Sequence, residues 1–326
     1  MSATGSTRAI LAALGANAGI AAAKFIGFVI TGSSSMLAEA VHSVADTSNQ
    51  ALLLFGQRAA RKEADALHPF GYGRSRYFWS FVVALVLFTL GAVFALYEGY
   101  HKITHPVELT SPAVALTILV VAIMLETFSF RTAVIESRPL KGSGSWWRFI
   151  RNSRNPELPV VLLEDTGALV GLGLALAGVG LTTATGNAVW DGIGTIGIGL
   201  LLGTIAIILM VEMHSLLIGE GATAAQTKAI RAALEATEHV DRLIHLRTQY
   251  LGPEEMLVGA KIAVDPHLDL TTVAATIDAA EANIRAKVPA ARVIYLEPDL
   301  DRATSDGPAP PRAAGSASSP RRSRHI

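Results

Sequence analysis

The 326-residue chain contains no cysteine, and charged residues make up only 17% of it. The missing thiols exclude disulfide bonds, thiolate metal sites and cysteine catalysis, so oxygen or imidazole nitrogen must hold any bound metal. Soluble domains usually carry about 25% charged residues, so the low fraction is not typical of a soluble enzyme. Basic and acidic residues balance at 27 each. Without a net positive field, we expect no nucleic acid as a partner.

Hydrophobic residues make up 51% of the chain and are concentrated in long apolar runs. A membrane-spanning helix takes about 20 residues, and six segments reach that length. The second segment also carries polar and ionisable side chains, which must face a cavity or another helix rather than lipid. The six predicted spans cover residues 10–30, 35–58, 77–100, 112–135, 159–181 and 189–217.

The basic residues of the loops predict the orientation of these spans. The loops after the second and fourth spans are rich in Lys and Arg, whereas those after the first and fifth contain neither. By the positive-inside rule, we expect a multi-pass protein of the cell (inner or plasma) membrane with both termini in the cytoplasm. The basic residues of the two loops are Arg58, Arg61, Lys62, Arg74 and Arg76, and Arg138, Lys141, Arg148, Arg151 and Arg154.

The composition changes after residue 219 to the mixed pattern of a small soluble domain. Its elements read helix, strand, strand, helix, strand, which predicts an α+β, ferredoxin-like sandwich (αββαβ). Domains of about 80 residues are often stabilised by association, so we expect a homodimer. The predicted elements cover residues 223–237, 239–250, 254–265, 271–288 and 292–296.

These patterns divide the chain into three parts. Residues 1–219 form an all-α, six-helix transmembrane bundle, and residues 220–300 form the cytoplasmic ferredoxin-like dimerisation domain. Residues 301–326 are rich in Pro, Ala, Ser, Gly and Arg, a composition typical of a disordered basic tail.

The second span carries His42 and Asp46. Residues four apart lie on one face of a helix, about 6 Å apart along its axis. An imidazole and a carboxylate on one face provide half of a four-ligand site for a divalent cation such as Zn²⁺. The alternative is a pair of polar side chains that hydrogen-bond between helices. The combination of these two residue types favours metal binding.

The fifth span contains two adjacent carboxylates, Glu164 and Asp165. Their burial in a membrane costs several kcal/mol, and they repel each other unless a cation or protons intervene. A bound divalent cation would offset both costs. Because Pro159 lies five residues before Glu164, an interfacial position near a helix end is the alternative. Adjacent residues of a helix are rotated by about 100°, so residue spacing alone does not require that both bind one ion.

The stretch SSSMLAEAVHSVADTSNQ in the second span, followed by HPFGYGR, resembles the cation diffusion facilitators, a family of zinc and other divalent-metal transporters. The resemblance extends from about residue 8 to about residue 300. It implies a transport site with two residues from each of helices two and five. His42, Asp46 and Asp165 match this pattern, whereas Val161 stands where many zinc transporters have His or Asp. The sequence LLEDT, which contains Glu164, resembles the branch of the family related to the mitochondrial-type zinc transporter of animals. On this resemblance, Glu164 is expected to replace the missing ligand.

On this resemblance, the chain is expected to be a secondary active transporter rather than an enzyme. It would export divalent metal ions, zinc above all, from the cytoplasm by proton antiport with alternating access. Its partners would be the metal ion, protons, the lipid bilayer and a second copy of the chain, with no resident cofactor. The sequence has no ATP-binding motif that would indicate a primary pump. A passive divalent-cation channel and a non-transporting membrane scaffold or sensor stay open as alternatives.

Other polar residues offer weaker candidates. In the loop after the second span, Asp65 and His68 provide only two ligands, and Tyr72 stands where a further His would be needed. Neither this loop nor the soluble domain is expected to hold a complete metal site. The soluble-domain candidates are His245, His267, Tyr295 and Glu297.

Four further polar residues fall within the predicted spans. They could shape an ion path, although packing or snorkelling is the commoner role of such residues. One of them, a lysine, could also neutralise a carboxylate of the empty site. The four are Asn17, Lys24, Glu126 and Asp191.

Overall fold

A computed structural model describes residues 3–31, 34–106 and 112–300, so the predicted tail lies outside the described residues. Each of the six predicted spans corresponds to a helical segment. Most of these segments run a few residues past the apolar stretch, because helical hydrogen bonding continues into the flanking polar residues. The helices are α1 (Ala3–Thr31), α2 (Ser34–Ala59), α3 (Ser75–Val86), α4 (Phe94–Thr104), α5 (Pro112–Lys141), α6 (Trp146–Asn152), α7 (Glu157–Thr185) and α8 (Val189–Ile218).

Among the described residues, four helical stretches are long and apolar enough to cross a membrane: Ser75–Thr104, Pro112–Lys141, Glu157–Thr185 and Val189–Ile218. Helix α1 contains a shorter apolar stretch, Ile10–Ile26. Helix α2 is long, but polar residues such as Asp46, Asn49 and Gln50 reduce its hydropathy. A count of six spanning helices therefore stays a prediction.

The third predicted span is not a regular α-helix. Helices α3 and α4 are joined by a π-helical segment, Leu87–Val93, which apolar periodicity does not predict. Such segments are usually single-turn insertions and frequently occur at functional sites. This one packs against α2 and α8, and its first residue, Leu87, lines the cavity described below.

Helix α7 is packed on several sides and carries the two adjacent carboxylates. It contacts α1, α3, α5 and α8. A Cβ atom on Gly167 would lie 2.7 Å from Cδ1 of Ile205, so this glycine permits the close approach of α7 to α8. Val160 and Val161 have no exposed surface. The first half of α7 is therefore a protein-enclosed helix rather than a lipid-facing one.

A buried ion pair fixes the beginning of α7 against α3. Nε and Nη2 of Arg76 donate to the two carboxylate oxygens of Glu157 at 2.5 and 2.8 Å. The side chains are only 8% and 1% exposed. The prediction that Arg76 is a loop residue is wrong, since it lies in the first turn of α3, where its buried charge is neutralised by a bidentate partner.

The C-terminal domain is a three-stranded sheet packed against two helices. The first two strands pair antiparallel, and the second and third pair parallel. The order of elements is the predicted one, while the ferredoxin-like topology stays a prediction. The turn between the first two strands lies at residues 253–254, because Gly252 still pairs with Glu255. The elements are α9 (Ala224–Glu235), β1 (Val240–Gly252), β2 (Glu255–Val264), α10 (Leu270–Lys287) and β3 (Ala291–Asp299).

Both basic loops contact the C-terminal domain. Arg154 forms an ion pair with Glu220, and its guanidinium lies 5.5 Å from the centre of the Tyr250 ring. In the other loop, a Cβ atom on Gly73 would lie 2.8 Å from the carbonyl oxygen of Leu251. The two Lys- and Arg-rich loops therefore lie on the same side of the helices as the C-terminal domain.

Candidate metal site

A small cavity of about 30 Å³ lies among the membrane helices. About 10–15 Å³ is enough to hold one water molecule, so the cavity has room for an ion that has lost most of its hydration shell. Four of its lining side chains are carboxylates, contributed by α2, α5 and α7. The lining residues are Asn17, Asp46, Leu87, Glu126, Glu164, Asp165, Ala168 and Leu202.

The structure brings three of the four predicted ligands to this cavity. Asp46 reaches it from α2, and Glu164 and Asp165 reach it from α7. The backbone of His42 belongs to α2, but its side chain lies outside the described residues. Since residue 42 precedes Asp46 by about one helical turn, the two share a face of α2.

Glu164 is directed towards α2. It is 6% exposed, and its carboxylate accepts hydrogen bonds from Nε2 of Gln50 at 2.6 Å and Nδ2 of Asn49 at 3.4 Å. These amides partly compensate the cost of burying the carboxylate. The residue lies about two turns inside α7, which begins at Glu157. This burial does not fit an exposed position at the membrane interface.

Asp165 is directed towards a different helix. It is 1% exposed, and its Oδ2 accepts a hydrogen bond from Oγ of Ser129 in α5 at 2.9 Å. Adjacent residues of an α-helix are rotated by about 100°, which explains why the neighbouring carboxylates contact α2 and α5 respectively. Both still line the same cavity.

The carboxylates are not arranged as a preformed metal site. Within the described part of the chain, no three His, Asp or Glu side chains converge as a metal-binding group. Glu164 accepts a hydrogen bond from Gln50, and Asp165 accepts one from Ser129. An ion entering the cavity would have to replace some of these hydrogen bonds.

Two of the four further polar residues that could shape an ion path also line this cavity. Glu126 and Asn17 are each 5% exposed. The sequence does contain a signal for Glu126, because it is the only ionisable residue in the apolar stretch 112–130. An isolated carboxylate in a membrane span indicates a functional site unless a partner is present.

A second cavity of about 70 Å³ adjoins the first. The two share the lining residues Asp46, Glu126, Ala168 and Leu202. Lys24, which is 5% exposed, lines the second cavity. Its position beside Asp46 and Glu126 fits a role in balancing carboxylate charge. The fourth such residue, Asp191, lies elsewhere and pairs with Lys102 at 2.9 Å.

The loop after α2 is organised by Asp65. The Tyr72 hydroxyl donates to its carboxylate at 2.6 Å, Nζ of Lys62 donates at 3.0 Å, and the backbone N–H of His68 donates at 2.8 Å. These donors, the Tyr72 hydroxyl foremost, hold the pKa of Asp65 well below its usual range. The loop is thus closed by protein hydrogen bonds. In the C-terminal domain, Glu297 pairs with Lys261 at 2.9 Å.

Comparison with known families identifies both parts of the chain. Residues 10–218 match the model of the cation efflux transmembrane domain. Residues 223–299 match the model of the cytoplasmic domain of cation efflux proteins. Together the two matches cover nearly all of the described residues.

Several curated proteins are similar to the chain. The human proton-coupled zinc antiporter SLC30A9, mitochondrial, is 32% identical over 244 residues, which is 74% of this chain and 43% of that protein. Metal tolerance protein C4 of Arabidopsis thaliana is 31% identical over 261 residues, 79% of this chain and 57% of that protein. Magnetosome protein MamB of Magnetospira sp. is 26% identical over 273 residues, 82% of this chain and 86% of that protein. The chain thus spans less than half the length of SLC30A9.

Proposed function

The chain belongs to the cation efflux family, and from that premise we propose that it exports divalent metal ions, principally Zn²⁺, from the cytoplasm in exchange for protons. The family consists of metal transporters rather than enzymes, and the chain is a multi-pass membrane protein with a C-terminal cytoplasmic domain. The relatives named zinc antiporters support the choice of ion and of exchange.

The observation that carries this proposal is the group of carboxylates around the small cavity. Asp46, Glu164 and Asp165 come from two helices that are far apart in the chain, and they line one cavity of about 30 Å³. Carboxylates that line one cavity favour the binding of a divalent cation, which neutralises their repulsion. A scaffold protein would have no need of them, and a channel would need a continuous polar path instead of a discrete site.

Ion binding and proton binding would compete at this site. A metal ion would bind the carboxylates of Asp46, Glu164 and Asp165 and the imidazole of His42. Histidine binds a metal only in its neutral form, so a proton and the ion exclude each other there. The ordinary pKa of histidine, about 6.5, suits such an exchange near neutral pH. Alternating access would expose the loaded site first to the cytoplasm and then to the opposite side.

In the proposed arrangement, six helices span a cell (inner or plasma) membrane, and both termini lie in the cytoplasm. The contacts of both basic loops with the C-terminal domain support this orientation, because basic loops are retained on the cytoplasmic side. We also propose a homodimer that associates through the domain at residues 220–300. The match of residues 223–299 to the family's cytoplasmic domain supports that proposal.

Metal flux into proteoliposomes tests the proposed function. The full chain is reconstituted, and uptake of Zn²⁺, Co²⁺, Fe²⁺, Ni²⁺ and Mn²⁺ is measured with and without an opposing proton gradient. Antiport predicts metal uptake that accelerates with the gradient and is accompanied by proton movement in the opposite direction. A rate of metal uptake that does not change with the proton gradient indicates a channel. An absence of uptake for every ion indicates a scaffold or sensor.

Replacing His42 by aspartate is expected to lower the preference for Zn²⁺ over Mn²⁺. The change removes the single nitrogen ligand of the proposed site, and Mn²⁺ favours oxygen ligands more than Zn²⁺ does. We expect the ratio of the two uptake rates to shift by about fivefold, or about 1 kcal/mol. The matched control is His101→Asp, since His101 is exposed and stacks on His105 outside the cavity. An unaltered ratio in His42→Asp would mean that His42 does not touch the ion.

A further inference from the structure

Glu126 of α5 lies where the proposed site meets the second cavity. It lines both the 30 Å³ cavity, with Glu164 and Asp165, and the 70 Å³ cavity, with Lys24. Its side chain is 5% exposed. An ion passing between the two cavities would therefore move past the carboxylate of Glu126.

One oxygen of Glu126 differs from those of its neighbours. Its Oε2 is buried and has no hydrogen-bond donor among the described residues. By contrast, Glu164 accepts from Gln50 and Asp165 accepts from Ser129. Burial of an ionised carboxylate oxygen without a donor is costly, and either a bound cation or a proton compensates for it. This oxygen can therefore bind an ion without first losing a protein hydrogen bond.

The hydrogen bond between α5 and α7 shows that Glu126 lies on the face of α5 that is turned towards α7. Ser129 donates to Asp165 at 2.9 Å, which directs that face of α5 towards α7. Residues three apart in a helix share a face, so Glu126 and Ser129 are directed to the same side. The geometry thus supplies a carboxylate from a third helix beside the two helices of the proposed site.

We propose that Glu126 is an additional ligand of the transported ion and determines how well the site accepts Mn²⁺ relative to Zn²⁺. The inference rests on the proposed function and deepens it. Zn²⁺ is satisfied by four ligands, which His42, Asp46, Glu164 and Asp165 would supply. Mn²⁺ favours six ligands, mostly oxygen, so a further carboxylate contributes more to its binding. Glu126 therefore broadens the range of divalent ions that the site accepts.

The test measures binding of Zn²⁺ and of Mn²⁺ by calorimetry on the full chain in detergent. We expect Glu126→Gln to weaken Mn²⁺ binding by about fivefold and Zn²⁺ binding by less than about twofold. Glu126→Asp should restore most of the Mn²⁺ binding, because it keeps the charge. The matched control is Glu136→Gln, the same change ten residues later in α5, which should bind both ions as the unaltered protein does.

The ratio of the two dissociation constants decides the outcome, because it does not depend on how much of a variant is correctly folded. The inference is supported if the dissociation constant for Mn²⁺ divided by that for Zn²⁺ rises in Glu126→Gln but not in Glu136→Gln. The same ratio in Glu126→Gln and the unaltered protein overturns it while leaving the proposed function intact. Failure of the unaltered protein to bind either ion would instead overturn the proposed function itself.

Discussion

Replacing Asp46 or Asp165 by alanine is expected to abolish metal transport while the protein still inserts into the membrane. Both carboxylates line the small cavity, one from α2 and one from α7. Loss of either carboxylate removes a proposed ligand, so the remaining ligands no longer compensate for the water molecules that the ion gives up. Changes to groups that merely orient metal ligands cost about 10- to 100-fold, so we expect a loss of at least about 100-fold here. Removal of a charge makes insertion easier, so the amount of inserted protein should not fall.

The matched control is Asp191→Ala, which removes a carboxylate from another membrane helix. Asp191 lies in the first turn of α8 and pairs with Lys102, away from the cavity. It should retain most of the transport rate. Metal uptake is measured in proteoliposomes at equal protein content. Normal uptake by Asp46→Ala or Asp165→Ala would remove that residue from the transport site.

Replacing Glu164 by glutamine is expected to weaken metal binding at least about tenfold, or about 1.4 kcal/mol. The two side chains have nearly the same shape, and the remaining carbonyl oxygen can still accept from Gln50, as the carboxylate does at 2.6 Å. The charge is lost, together with the acceptor of the longer hydrogen bond from Asn49 at 3.4 Å. Because a buried carboxylate is costly to keep, thermal stability without metal should stay equal or rise.

The stability and the metal affinity of the glutamine variant distinguish a ligand role of Glu164 from a structural one. If the residue only holds Gln50 and Asn49 in place, the glutamine variant should lose stability but keep its metal affinity. Glu164→Asp serves as the second variant, since it keeps the charge but shortens the reach by one methylene group. Equal metal affinity in the unaltered protein and Glu164→Gln would reduce the proposed site to His42, Asp46 and Asp165.

Apolar run length predicted the helical segments well, because a membrane span is set by a single length scale. The αββαβ order of the C-terminal domain also follows from local periodicity and turn residues. The position of Asp46, Glu164 and Asp165 at one cavity follows from the resemblance to the metal-transporter family. Residue patterns alone indicate only that carboxylates in apolar helices need a partner.

Other features depend on tertiary contacts that local patterns do not contain. The π-helical segment Leu87–Val93 has the same apolar composition as an α-helix, and its geometry arises where it packs against α2 and α8. The sequence around Arg76 is typical of a basic loop. Its buried partner, Glu157, is 81 positions away in the chain, so local patterns do not reveal the ion pair. Glu126 was underestimated because its single carboxylate acquires meaning only from neighbours on α2 and α7.

The direct test of this account is the position of the bound ion. Crystals of the full chain grown with Zn²⁺ would be measured on both sides of the zinc absorption edge, and the anomalous difference map would locate the metal. We expect a peak in the cavity lined by Asp46, Glu164 and Asp165, with the imidazole of His42 about 2.0–2.1 Å from the ion. Zinc peaks confined to the Asp65 loop or the C-terminal domain, with none between α2 and α7, would contradict the account.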